Sequence, residues 1–165
     1  MSGPRRVYLD HNATTPLDPR VLEAMLPFLR EDFGNPSSLH WFGQRARAAC
    51  EEARVSVASL VGAEPAEIVF TASGSEADNM ALRGVAARAK PTRRAIAVSA
   101  VEHHAVLHTA RALRDEGWPV QVLPVTEQGS LDLDALAAQV DEATALVSVM
   151  LANNETGVLQ PVPEV

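Results

Sequence analysis

Thr71-Ala72-Ser73-Gly74-Ser75-Glu76-Ala77-Asp78-Asn79 is the stretch on which the fold of this chain turns. It follows Glu67-Ile68-Val69-Phe70, whose apolar residues 68–70 read as a buried strand. It precedes Met80-Ala81-Leu82-Arg83, and the pattern places a helix over 79–89. A small-residue turn between strand and helix exposes backbone N–H groups at the positive end of the helix dipole. Gly74 has no Cβ to keep an anion at a distance, and Ser73 and Ser75 add hydroxyl donors. Two readings follow: a cradle for a phosphorylated ligand, or an ordinary strand-to-helix turn with a serine cap.

Outward from this turn the pattern alternates. Strands are expected over 95–99, 120–123 and 145–151, with helices over 105–115 and near 133–140. Upstream, Asp18-Pro19 is a helix start, with Asp18 as N-cap and Pro19 at the first helical position. Val21, Leu22, Met25, Leu26 and Leu29 then recur at helical spacing, with Pro27 expected to kink or weaken that helix. A second, longer helix is expected from about 39 to 60. Strands alternating with helices predict an α/β fold with a mostly parallel sheet flanked by helices. Ligands of such sheets sit at the carboxyl ends of the strands. Three polar motifs fall there: Ser73-Gly74-Ser75, Glu102-His103-His104 and Asn153-Asn154-Glu155. Their convergence on one edge strengthens the cradle reading.

The bulk numbers narrow the classes. With 165 residues, 47% hydrophobic and 21% charged, the chain is long and apolar enough for one domain with a real core. A net charge of -7 argues against direct nucleic-acid binding, and the small basic cluster Lys90, Arg93 and Arg94 reads as a solvated loop. No apolar run approaches a membrane span or a signal peptide, so a cytoplasmic protein is expected. The single cysteine, Cys50, fits a reducing compartment and reads as a small buried or half-buried helix residue.

The motifs keep alternatives. His103 can stack on a planar aromatic cofactor or act as an acid/base near neutral pH, or simply start a helix. His104 and His108 are four residues apart, a metal-compatible spacing, but without a third ligand a solvated helix face explains them better and no metal site is expected. The amides of Asn153 and Asn154 can bond a ring oxygen of a ligand or serve turn chemistry. Asp10 to Thr15 and Asn35 to His40 divide in the same way between pocket lining and capping.

With these residues assembled, the chain resembles the NifS/IscS-like cysteine desulfurases, pyridoxal 5'-phosphate (PLP) enzymes of the class-V aminotransferase group and fold type I. The matching stretches are Tyr8 to Pro16, Phe33-Gly34-Asn35-Pro36-Ser37-Ser38, Phe70 to Asn79, Glu102 to Val106 and Asn153 to Val158, five motifs in the family's order. The resemblance implies that Gly74 and Ser75 bind the PLP phosphate, that His103 stacks on the pyridine ring and moves protons, and that Asn154 faces the ring hydroxyl. It implies a segment, residues 1–16, bordering the active site, and residues 17–165 forming part of the large PLP-transferase domain. The substrate would be L-cysteine, the products L-alanine and an enzyme persulfide. The partners would be a sulfur acceptor or iron–sulfur scaffold protein and, in the full-length enzyme, a second copy.

The family's cofactor-linking lysine, its pyridine-pairing aspartate and its nucleophilic cysteine have no counterpart here. Lys90, the only lysine, matches no such motif, and Cys50 is not in the nucleophile's position. The chain is therefore expected to be a truncated, N-terminal portion, not competent alone. The alternatives are a selenocysteine lyase or another class-V PLP enzyme, a split enzyme, or a non-catalytic module that binds a desulfurase or scaffold.

Overall fold

The computed structural model describes residues 5–165. They form two compact units, one up to Phe70 and one from Thr71 to Val165. The first unit is helical. Helix α1 (Pro19–Arg30) starts where the sequence places it: the Asp18 carboxylate accepts from the Arg20 N–H at 2.8 Å. It continues one turn past Pro27, whose carbonyl accepts from the Glu31 and Asp32 amides as the helix ends. Helix α2 (Trp41–Val61) begins two residues later than expected, capped by the His40 ring, and ends on Gly62 in the left-handed region at φ 69°. Gly43 of α2 is buried against the preceding loop. A Cβ there would stand 2.7 Å from the Asn35 carbonyl oxygen, so only glycine lets that loop lie on the helix.

Two expectations fail in this unit. Residues 68–70 form no strand; the Ile68 carbonyl accepts instead from the Arg54 guanidinium, which also covers the Phe70 ring. An apolar run becomes a strand only when a sheet edge takes its backbone groups, and among the described residues none does. Cys50 is exposed, not buried. It lies on the same face of α2 as Gly43 and Ala46, seven and four residues back, but beyond the part of that face that the preceding loop covers.

The second unit is the α/β layer. In chain order it contains α3 (Gly74–Arg88), β1 (Ala95–Ser99), α4 (His104–Asp115), β2 (Val120–Leu123), α5 (Leu133–Gln139) and β3 (Thr144–Ser148). The three strands form a parallel sheet in the order β2-β1-β3, with Ile96 opposite Val120 and Leu146. Alternation along β1 divides the core. Ile96 and Val98 face α3 and α4, packing with Leu82, Ala86, Val106, Ala110 and Leu113. Ala97 faces the other layer, with Leu123 of β2, Leu131 of the β2–α5 connection and Leu136 of α5. The central strand is buried on both faces, as a parallel sheet requires.

Helix α3 begins at Gly74, five residues earlier than the apolar pattern suggests, because the cap chemistry of Ser73 sets its start. Strand β3 stops at Ser148, three residues early. The basic loop is not merely solvated: Arg93 donates to the Thr144 carbonyl from both Nε (3.1 Å) and Nη2 (2.9 Å), and Arg94 lies 4.5 Å over the Trp118 ring. Among the described residues, no helix is long and apolar enough to cross a membrane.

Candidate functional site

The site is built at one edge of the second unit. β1 and β3 run in parallel, so the loops that leave Ser99 and Ser148 share the carboxyl edge of the sheet. Helices α3 and α4 each run back from that edge and pack side by side. Asn79 and Thr109 are each the sixth residue of their helix (74 to 79, 104 to 109), and the Thr109 hydroxyl donates to the Asn79 side-chain carbonyl at 2.7 Å. The starts of α3 and α4 therefore lie at the same level. The structure brings three of the expected elements to this edge: the Gly74–Ser75 turn, His103, and the turn carrying Asn154.

The α3 start is a reciprocal cap. The Ser73 hydroxyl accepts from the Glu76 N–H at 3.2 Å, and the Glu76 carboxylate reaches back to accept from the Ala72 N–H at 2.7 Å. The Ala77 N–H goes to the Ser73 carbonyl. That leaves the amides of Gly74 and Ser75, for which no acceptor exists among the described residues. Both residues are exposed, and an ideal Cβ on Gly74 would meet nothing within 4 Å. Two unspent N–H groups at a helix start, with open space above a glycine, suit an anionic oxygen.

His103 caps α4. Its Nδ1 accepts from the Ala105 N–H at 3.1 Å, so the ring is held by one nitrogen while Nε2 and a ring face remain to the exposed side. That fixes Nδ1 as the unprotonated atom of the neutral ring. His104 and His108 stack on each other with centroids 5.4 Å apart, on the exposed side of α4. Among the described residues, no three metal-binding side chains gather.

Asn154 sits in a hairpin. The turn closes through the Gly157 N–H to the Asn153 carbonyl at 2.8 Å, with Gly157 at φ 76°, and Ala152 bridges Leu159. Asn154 is exposed, and its amide donates to the Glu155 carboxylate at 3.2 Å. Asn153, by contrast, is spent on structure. Its Oδ1 accepts from the Glu155 and Thr156 amides, both at 2.9 Å, and from the Thr156 hydroxyl, while its Nδ2 donates to the Val101 carbonyl at 3.0 Å. Of the two adjacent asparagines, Asn153 is the one that ties the turn to the loop after β1, and Asn154 is the exposed one.

Three residues of this edge escape reading from sequence. Glu102 is buried, and its Oε1 accepts from the Met150 N–H. Burial pushes its carboxyl above the usual range, the Met150 N–H pulls it down, the Asp78 charge raises it and His103 lowers it. Gln160 is also buried; it accepts from the Leu131 N–H at 2.8 Å and donates to the Gly129 carbonyl at 3.0 Å, tying the hairpin to the β2–α5 connection. Asn79 joins α3 to α4, as above. For Glu102 the one available signal was its place, directly before a histidine at a strand end. For Gln160 there was none.

Lys90 lies at the other end. Helix α3 has 15 residues, about 22 Å at 1.5 Å per residue, and Lys90 follows its C-terminus, on the amino edge of the sheet. A lysine there cannot reach a group held at Gly74.

The profile of the class-V aminotransferase family matches residues 7–165. The cysteine desulfurase IscS of Dictyoglomus turgidum is 48% identical over 160 residues, covering 97% of this chain and 41% of that protein. Among solved structures, a NifS-like protein superposes with a TM-score of 0.91 at 46% identity, over 96% of this chain and 43% of its own. SspA, solved in complex with cysteine, superposes at 0.86 with 34% identity, over 95% of this chain and 45% of its own. The chain thus spans about two-fifths of the length of the relatives it matches. A family match running from residue 7 to 165, through all the motifs at this edge, leads to one conclusion: the chain belongs to the class-V aminotransferase family.

Proposed function

We propose that the carboxyl edge of this sheet binds pyridoxal 5'-phosphate, and that the chain contributes it to a cysteine desulfurase that takes L-cysteine to L-alanine and passes the sulfur to a protein thiol. The observation that carries the reading is the pair of unspent amides at Gly74 and Ser75, at the same sheet edge as the exposed, one-side-anchored His103. The likeness to desulfurases, and to a protein solved with cysteine, supports the substrate.

In this reading the Gly74 and Ser75 amides and the Ser75 hydroxyl receive the phosphate, whose charge the α3 dipole favours. The His103 ring stacks on the pyridine, and Nε2 is the atom that takes or gives a proton. The Asn154 amide donates to the ring hydroxyl. The cofactor, when bound, supplies an electron sink for the carbanion that forms at the substrate's α-carbon. Residues 17–165 belong to the large domain, and the first four residues of the segment expected to border the site, 1–4, lie outside the described residues. The linking lysine and the attacking thiol come from elsewhere, because Lys90 is at the wrong edge. The sulfur goes to an acceptor or iron–sulfur scaffold protein; the working enzyme is a cytoplasmic homodimer.

The test is a PLP titration of the chain, followed by borohydride reduction and intact mass. Binding should be reversible, compete with inorganic phosphate, and weaken about ten-fold in Ser75→Ala and in His103→Ala. A stoichiometric adduct on Lys90, or affinity untouched by both substitutions, would sink the reading.

A further inference from the structure

The loops that carry His103 and Asn154 are fastened to each other, and the fastening runs through a buried acid. Glu102 is 8% exposed, directly before His103, and its Oε1 takes the N–H of Met150. Asn153 adds a second tie, donating to the Val101 carbonyl at 3.0 Å. Residues 101 and 102 of one loop are thus held by residues 150 and 153 of the other. The first tie also explains why β3 ends early: the Met150 N–H goes to a side chain, not to a neighbouring strand.

A carboxylate is a costly group to bury. As plain filling, an apolar residue of similar size would serve better. The groups that face it are few: Asp78 from α3, His103 beside it and the Met150 N–H. None is a cation of fixed charge, so ion pairing does not account for its place. What Glu102 does there is reach across to the other loop.

We propose that Glu102 is a positioning residue, whose side chain, by holding the Met150 N–H, sets the separation between His103 and the turn that presents Asn154. Its effect on ligand binding rests on the proposed PLP site; the tie itself belongs to this chain regardless of what the edge binds. The bond needs an oxygen acceptor of this length and no charge. Glu102→Gln keeps that acceptor, Glu102→Asp falls one methylene short, and Glu102→Ala removes it.

The experiment compares the three variants with the parent chain by amide exchange at Met150, by the carbon–proton resonances of the His103 ring, and by PLP titration. In Glu102→Ala, Met150 should exchange at least about ten-fold faster, the His103 ring resonances should move, and PLP should bind about ten-fold more weakly. Glu102→Gln should stay within about three-fold of the parent on both scales, with the ring resonances in place. Should Glu102→Ala not fold, Glu102→Asp must show the same losses as were expected of it. Parent-like exchange and ring resonances in Glu102→Asp or Glu102→Ala overturn the proposal, as does a Glu102→Gln chain as damaged as Glu102→Ala. If the parent does not bind PLP, the cofactor reading fails while exchange and ring resonances still decide the tie.

Discussion

The start of α3 and the hairpin after β3 reach the same sheet edge by opposite routes. At α3, Ser73 and Glu76 satisfy each other's backbone within five residues, 72 to 76. The hairpin depends on distant partners: Glu102 for Met150, Val101 for Asn153, and Leu131 with Gly129 for Gln160. A cap written in consecutive residues forms wherever the helix forms. A hairpin tied to other elements takes its place only when the whole layer has folded. The two halves of the candidate site should therefore respond differently to substitution.

The largest effect should come from the strand that supports both. Ile96 is fully buried on the central strand. Ile96→Ala should destabilise the unit by about 3 kcal/mol and loosen both halves together, read in denaturant unfolding. Loss of only one half would show that they do not share this core.

Next comes a substitution that should separate them. Gln160→Ala leaves the buried Leu131 N–H without its acceptor and should cost about 2 kcal/mol. Amide exchange should quicken in 151–160 and 129–131 while the Glu76 amide keeps its protection. Equal loosening at Glu76 would end the contrast between local and distant support.

The reverse experiment is smaller. Ser73→Ala removes the cap oxygen and should cost about 1 kcal/mol, with fraying confined to the first turn of α3. Resonances of Asn153 and Gln160 should not move; if they do, the α3 start is part of the hairpin's support.

The smallest effect is a pH dependence. Burial raises the native carboxyl of Glu102, so the native state holds its proton to higher pH than the unfolded chain does. Stability from this group is then greatest at low pH. It falls as pH rises from the ordinary carboxyl range to the raised native value, and is level above it. Glu102→Gln should remove that downward slope from the stability curve. An unchanged slope would assign it to another carboxyl.

The alternation of strands and helices was legible because apolar period and helix-start residues are local. β1 and β2 fall over the residues the pattern marks, and Asp18 caps α1 as expected. His103 and Asn154 were legible as loop residues beyond strands, and Gly74 and Ser75 as residues of a small-residue turn before a helix, for the same reason. Residues 68–70 misled because an apolar run does not say whether a sheet edge will meet it. Cys50 misled because a place on the Gly43–Ala46 face of a helix does not say whether another element will cover it.

By itself, then, the sequence determined the alternation of helix and strand from α3 onward, the cap of α1 at Asp18, and the polar residues that follow β1 and β3. Those depend on neighbours a few residues away. Only the tertiary structure decided that Asn153 is spent on the frame while Asn154 is exposed, that Lys90 is stranded at the far edge, and that a buried Glu102 joins two loops. Each of these depends on partners about 15 to 50 residues distant, and burial of a polar group is settled only by what the fold brings to meet it.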